Sequence, residues 1–171
     1  MSLETLIDDN RRVIEADPVK AKAVFSVQGD LVGLTEVDLH ARGHAVKVDE
    51  PPSLGGEDRG ANPVEHALIA LASCQAITYR FWAAKLGIEL DELEITAEGD
   101  LDVRGFFGFD DSVRSGFTSI RLKVTPSGPE AAERYQELAD AVDAHCPVLD
   151  LFTNPTPVER QIAVPASAPT A

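Results

Sequence analysis

Two cysteines, Cys74 and Cys146, are the residues of this 171-residue sequence best suited to chemistry. A thiolate is a strong nucleophile that passes reversibly through sulfenic acid and disulfide. The pair is 72 residues apart, so neither a CxxC redox motif nor a zinc-ribbon spacing exists. In a reducing compartment two thiols do not predict a structural disulfide, and the bland reading of each is a small buried hydrophobe. Local context separates them. At 100° per residue, Cys74 shares a helical stripe with Ala67, Ala70, Ile77, Thr78 and Phe81, a stripe expected to face the core. Burial alone raises a thiol's pKa, so a reactive Cys74 would need a cation or donor beside it. Cys146 precedes Pro147, which disfavours helical backbone at the residue before it. Cys146 is therefore expected at a break between two helical pieces. If Pro147 opens the second piece, its positive end would lower the Cys146 pKa, and a cysteine at a hinge is free to move.

Other residues invite weaker readings. His66 and His145 stand near the cysteines in sequence, but His66 is eight residues, about 12 Å of helix, from Cys74. Shared zinc ligation is therefore not expected, and no metal is assigned. Gly55-Gly56 lacks the strand-to-helix context of a phosphate loop. Glu65 is three residues after Asn62, the spacing of a capping box, and reads first as a helix-cap acid. Arg42 reads first as a turn residue. Phe106, Phe107 and Phe109 put unusual aromatic surface into a Gly-flanked loop, fit for a substrate pocket or a dimer contact.

The elements that position these residues are legible in part. Leu3, Leu6, Ile7, Val13 and Ile14 predict a short amphipathic helix over 3–16, stopped by Pro18. Strands are expected over 20–27, 31–40 and 44–50 as an antiparallel meander. Residues 51–61, with three glycines and two prolines, form a loop. Asn62-Pro63 then opens a helix that should stop near Gly87 and is apolar nearly all round. Strands over 91–103 and 117–126, a helix over 129–145, a helical turn after Pro147, a strand over 158–164 and a disordered tail over 165–171 complete the chain. The reading is an α+β fold: an amino-terminal helical extension over 1–18, then one domain over 19–164. A central helix this apolar needs more cover than these strands give, which favours an intertwined homodimer.

Composition excludes some partners. Fifteen Lys and Arg against 29 Asp and Glu leave −14 at neutral pH, a surface that repels nucleic-acid backbones and anionic lipid. No run reaches the ~18 apolar residues of a membrane span, and the first nine residues lack the basic-then-apolar order of a signal peptide. The expected location is the cytoplasm, with no nucleic-acid and no membrane partner.

Three stretches, DEPPSLGG (49–56), NPVEHALIALASC (62–74) and HCPVLDLFTNPTPV (145–158), strongly resemble the matching segments of the OsmC/Ohr (osmotically inducible protein C / organic hydroperoxide resistance) family, in the same order and separation. The resemblance covers about residues 20–164. It implies antiparallel sheets around a long central helix in an intertwined homodimer, with the site at the protomer interface. It also implies a cysteine-based peroxidase acting on organic hydroperoxides: Cys74 attacks, Cys146 resolves through a disulfide, and a dithiol, often a lipoylated protein, regenerates the pair. No cofactor is implied. An apolar pocket is expected, with Phe106 and Phe107 as candidate walls. Better-characterised members pair the reactive cysteine with a Glu directly after Asn-Pro and an Arg from the early strands. Here Val64 follows Pro63 and no Arg stands near 28–32, so Glu65 and Arg42 are the candidate substitutes. Glu65 is nine residues before Cys74, about 180° away around an ideal helix. The alternative reading is a non-catalytic member that binds an apolar small molecule at the dimer interface.

Overall fold

The computed structural model of the chain describes residues 2–163. Helix α1 (Leu3–Ala16) is capped by Ser2, whose side chain accepts from the Thr5 amide, and a short 3-10 turn over Pro18–Ala21 follows. Strands β1 (Gln28–Leu31), β2 (Val37–Ala41) and β3 (His44–Val48) form an antiparallel meander in that order. The long helix α2 (Pro63–Leu86) comes next. Strand β4 (Glu92–Asp100) pairs antiparallel with β5 (Ser119–Ser127) in a nine-residue ladder running from Glu92↔Ser127 to Asp100↔Ser119. The crossover between them holds a short helix, α3 (Val103–Phe107). Helices α4 (Ala132–Asp143) and α5 (Pro147–Thr153) follow. The fold is α+β with antiparallel sheets, as the sequence predicts.

The core lies where α2 meets β4, β5 and α4. Tyr79, Ala83, Ile88, Leu90, Leu138 and Val142 form one buried cluster, flanked by Leu93 and Val124 from the two strands. Alternation along β4 and β5 produces this: every second residue turns toward the helices while Glu92, Glu94 and Glu98 stay in solvent. Removing a side chain such as Leu138 from water stabilises the fold by about 1.5–3 kcal/mol.

Four expectations differ from the structure. Residues 22–27 and 158–163 are not strands, because among the described residues no strand edge pairs with them. They leave Val24, Phe25, Val158 and Ile162 largely in solvent. The strand expected over 31–40 is broken by a turn between Leu31 and Val37, where the Val32 amide donates to the Glu36 carbonyl. The Phe-rich loop contains α3, whose start Asp102 caps through the Arg104 amide. The expected disordered tail lies outside the described residues.

Candidate active site

Helix α2 places Cys74. Its start is tightly specified: the Asn62 side chain accepts from the Glu65 amide (2.9 Å), and Glu65 Oε2 accepts from the Asn62 amide (2.8 Å). Pro63 has no amide to leave unsatisfied at the first position. Gly87 ends the helix in the left-handed region (φ 63°), where glycine is unstrained. Between these ends α2 has two faces. Leu71, Gln75, Tyr79 and Ala83 are buried in the chain's own core. The opposite side, with Ile69, Ile77 and Phe81, is exposed. The stripe expected in the core is therefore the wrong one within a single protomer: Ile77 is 59% exposed and Cys74 only half-buried. An all-round apolar helix offers no polar side by which periodicity could tell the two faces apart.

Cys146 sits, as Pro147 predicts, at the junction of α4 and α5, in extended backbone as the N-cap of α5. It is fully buried. Its thiol is held above the ordinary value chiefly by burial, with the neighbouring Cys74 thiol adding to the rise. The Leu149 and Val148 amides at the start of α5 favour the thiolate, without closing a full cap hydrogen bond. The expected lowering by the helix end is thus present but outweighed by desolvation. The fold brings two free thiols from distant parts of the chain near enough for Cys74 to add to the rise at Cys146.

The remaining candidates lie elsewhere. Glu65 spends its carboxylate on the Asn62 amide, about 14 Å of helix from Cys74. Arg42 occupies the tip of the β2–β3 turn with φ 57°, exposed and without a side-chain partner among the described residues. Phe107 meets Phe106 edge to face at 5.0 Å and stacks on Phe109 at 5.1 Å between ring centroids, all three on the outer surface. Among the described residues no three His, Cys, Asp or Glu side chains converge on a metal position. His145, beside Cys146, stacks on Trp82 at 4.1 Å, with its Nδ1 bonded to the Ala141 carbonyl at 2.8 Å. A carbonyl only accepts, so Nδ1 carries the proton in the neutral ring.

Sequence reasoning missed a cavity of about 500 Å³ between α2, β5 and α5. Leu71, one turn before Cys74, lies in its wall with Leu122 of β5 and Leu149 and Phe152 of α5; Arg114 lines it too. Only the apolar alternation of β5 hinted at such a wall.

The comparisons with known proteins converge. The OsmC-like protein model matches residues 55–160. No curated protein matches the sequence. Among solved structures, an OsmC-like protein from Mycoplasma pneumoniae superposes with a TM-score of 0.67 at 18% identity, over 78% of this chain and 90% of that one. An organic hydroperoxide resistance protein OsmC from Legionella pneumophila gives 0.59 at 19% identity, over 77% and 91%. The organic hydroperoxide resistance protein OhrB of Bacillus subtilis gives 0.55 at 21% identity, over 78% and 93%. These likenesses are of fold. No helix among the described residues is long and apolar enough to cross a membrane.

Proposed function

This chain belongs to the OsmC-like protein family, and from that premise we propose that it is a cysteine-based peroxidase reducing organic hydroperoxides as an intertwined homodimer. The observation that supports the reading is that the fold brings Cys74 of α2 and Cys146 at the start of α5, 72 residues apart in sequence, into one neighbourhood, both as free thiols. Cys74, half-buried on α2, is the more accessible and is assigned the attack. Its thiolate takes the terminal hydroperoxide oxygen: an S–O bond forms, the O–O bond breaks, and the departing alkoxide leaves as alcohol after protonation. Cys146, buried and held protonated, does not compete for peroxide. Once Cys74 is a sulfenic acid, the Cys146 sulfur displaces its hydroxyl as water and the disulfide closes. A dithiol, such as a lipoylated protein, then returns both sulfurs to thiols by exchange and is itself oxidised to a disulfide. The chemistry is complete with thiols and peroxide and needs no cofactor.

The dimer is supported by what one protomer leaves uncovered. The outer face of α2 exposes Ile69, Ile77 and Phe81, and the segments around Phe25 and Ile162 leave those side chains in solvent and pair with no strand among the described residues. A second copy supplies both a helix face and strand edges. The charge of −14 supports a protein without nucleic-acid or anionic-membrane partners.

The test is turnover of cumene hydroperoxide against hydrogen peroxide with dihydrolipoamide as reductant. Wild type should prefer the organic peroxide, Cys74→Ser should abolish turnover, and Cys146→Ser should stop after one equivalent, with Cys74 trapped as sulfenic acid. Two free thiols in wild type after peroxide exposure would reject the reading. One observation favours a second reading, a binding protein without turnover: the apolar cavity between α2, β5 and α5 is walled by neither cysteine.

A further inference from the structure

The cavity between α2, β5 and α5 combines two features. Its walls are apolar, with Leu71, Ile120, Leu122, Leu149 and Phe152, and its volume of about 500 Å³ is in the range of small-molecule sites. Its lining contains one ionic side chain, Arg114, and no carboxylate. Acids outnumber bases by 29 to 15 in this chain, yet Arg114, like Arg42, has no acidic partner among the described residues, and of the two only Arg114 lies at this cavity. Arg104, ten residues earlier, is paired to both Asp102 and Asp110, and Arg121 to Glu98 and Asp100. Arg114 enters no salt bridge and no side-chain hydrogen bond among the described residues.

The local backbone sets where the exposed Arg114 side chain leaves the chain. A Cβ on Gly105 would fall 2.5 Å from the Arg114 carbonyl oxygen, so α3 can pack against this segment only with glycine there. The guanidinium folds beside Gly116, also a lining residue, with Nη2 3.5 Å from where a Cβ on Gly116 would sit. The side chain thus lies along the cavity wall. Thr118, Ser119 and Thr153 add hydroxyls to the lining.

An exposed, unpaired guanidinium at the edge of an apolar cavity is complementary to one ligand chemistry: an anion, carboxylate above all because it matches the planar fork, attached to a hydrocarbon tail. We propose that this cavity is a binding site for a carboxylated amphiphile, with Arg114 pairing the head group and the β5 and α5 side chains enclosing the chain. The inference does not rest on the thiol chemistry. It holds for a peroxidase, where the occupant would be an acidic hydroperoxide or its alcohol product, and equally for a protein without turnover.

The experiment is a calorimetric titration of the intact protein with decanoate and with decanol, both below micellar concentration and at fixed ionic strength. Decanoate should bind roughly tenfold to a hundredfold more tightly than decanol, the span of a charge-assisted hydrogen-bond pair. Arg114→Gln should erase that preference while leaving decanol binding unchanged, and Arg114→Lys should restore part of it. Leu122→Phe, which narrows the cavity, should weaken both ligands alike, with folding of each variant checked by circular dichroism. Equal affinity of wild type for acid and alcohol, binding of neither, or a preference that survives Arg114→Gln would each overturn the proposal. None of these outcomes depends on peroxide turnover, so they stay separable from a failure of the peroxidase reading.

Discussion

The two ends of this chain solve the problem of burial differently. Residues 63–146 supply most of the buried set: Leu71, Gln75, Tyr79, Ala83, Ile88, Leu90, Leu138, Val142 and Cys146 are all buried within one protomer. Residues 2–62 contribute only Val48 and Asp49 to the buried set, and they leave Val24 and Phe25 more than 90% exposed. The helical half has a stripe for each of its elements to cover. The meander half has a sheet whose inner side chains, such as Leu39 and Val46, line an open cavity beneath β1–β3. The lesson is that self-sufficiency stops on α2. One side of that helix is covered by its own chain, and the side carrying Ile77 is left for something else.

The largest expected effects break this contrast directly. Leu138→Ala removes a side chain with no exposure at all and should cost about 2–5 kcal/mol in denaturant unfolding, whatever the oligomeric state. Ile77→Asp should behave in the opposite way. The site is open within a protomer, so the charge is tolerated there, but it would be desolvated under a second copy. Analytical ultracentrifugation should show wild type as a dimer and Ile77→Asp as a folded monomer or a strongly weakened dimer. A dimer of undiminished affinity in Ile77→Asp would remove α2 from the interface. A monomeric wild type would remove the explanation of the exposed segments altogether.

The meander half also contains one strongly held group, which sharpens the comparison. Asp49 is buried, and Oδ1 accepts from the Thr35 hydroxyl (2.6 Å) and the Glu50 amide (2.9 Å). Oδ2 accepts from the Glu57 and Arg59 amides (2.9 and 3.2 Å). These bonds, the Thr35 one foremost, offset burial and hold the carboxyl down at about 2 against an ordinary 3.8. A depressed folded-state pKa means that the stabilisation is complete above pH 3.8, the unfolded value, and drains away as pH falls toward 2. The carboxylate ties the loop over 51–60 to the end of β3, so that loop should loosen first. Urea midpoints measured from pH 5 to pH 2 should fall in wild type. Asp49→Asn should start lower and fall less, and the difference between the two curves isolates this group from the other titrating acids. Parallel curves would mean that the loop does not depend on the charge.

How much of this was readable from sequence follows the same division. Helix α2 was legible to the residue because Asn62, Pro63, Glu65 and Gly87 are local signals that act on their own backbone. Strands β4 and β5 were legible, though not their pairing, because alternation against a helix layer is a two-period pattern within the strand itself. The break at Cys146 was legible from Pro147 alone. The strand expected over 20–27 was not realised, since a strand is defined by its neighbour and no sequence pattern supplies one. The orientation of α2 failed because apolar residues surround the helix. The sign of the Cys146 shift failed because a helix end is visible in sequence and the depth of burial that outweighs it is not. Arg114 was overlooked because its loop drew attention to three phenylalanines that the fold places on the outside.

The smallest expected effect concerns Glu65, the acid that stands one place from where the resemblance to better-characterised relatives would put a catalytic one. The structure gives its carboxylate a complete occupation at the start of α2, where it accepts from the Asn62 amide at 2.8 Å. An acid at that position also complements the helix dipole, worth a few tenths of a kcal/mol on an exposed terminus. Glutamine reaches the same amide through its side-chain oxygen, so Glu65→Gln preserves the box and forfeits only the charge. The expected outcome is a loss of roughly 0.3–1 kcal/mol in stability with peroxide turnover unchanged. Asn62→Ala, which removes the reciprocal half of the box, should cost about 1 kcal/mol and also leave turnover in place. A large fall in kcat for Glu65→Gln at undiminished stability would instead mean that the carboxylate acts on the thiol pair across the interface, from the partner's α2.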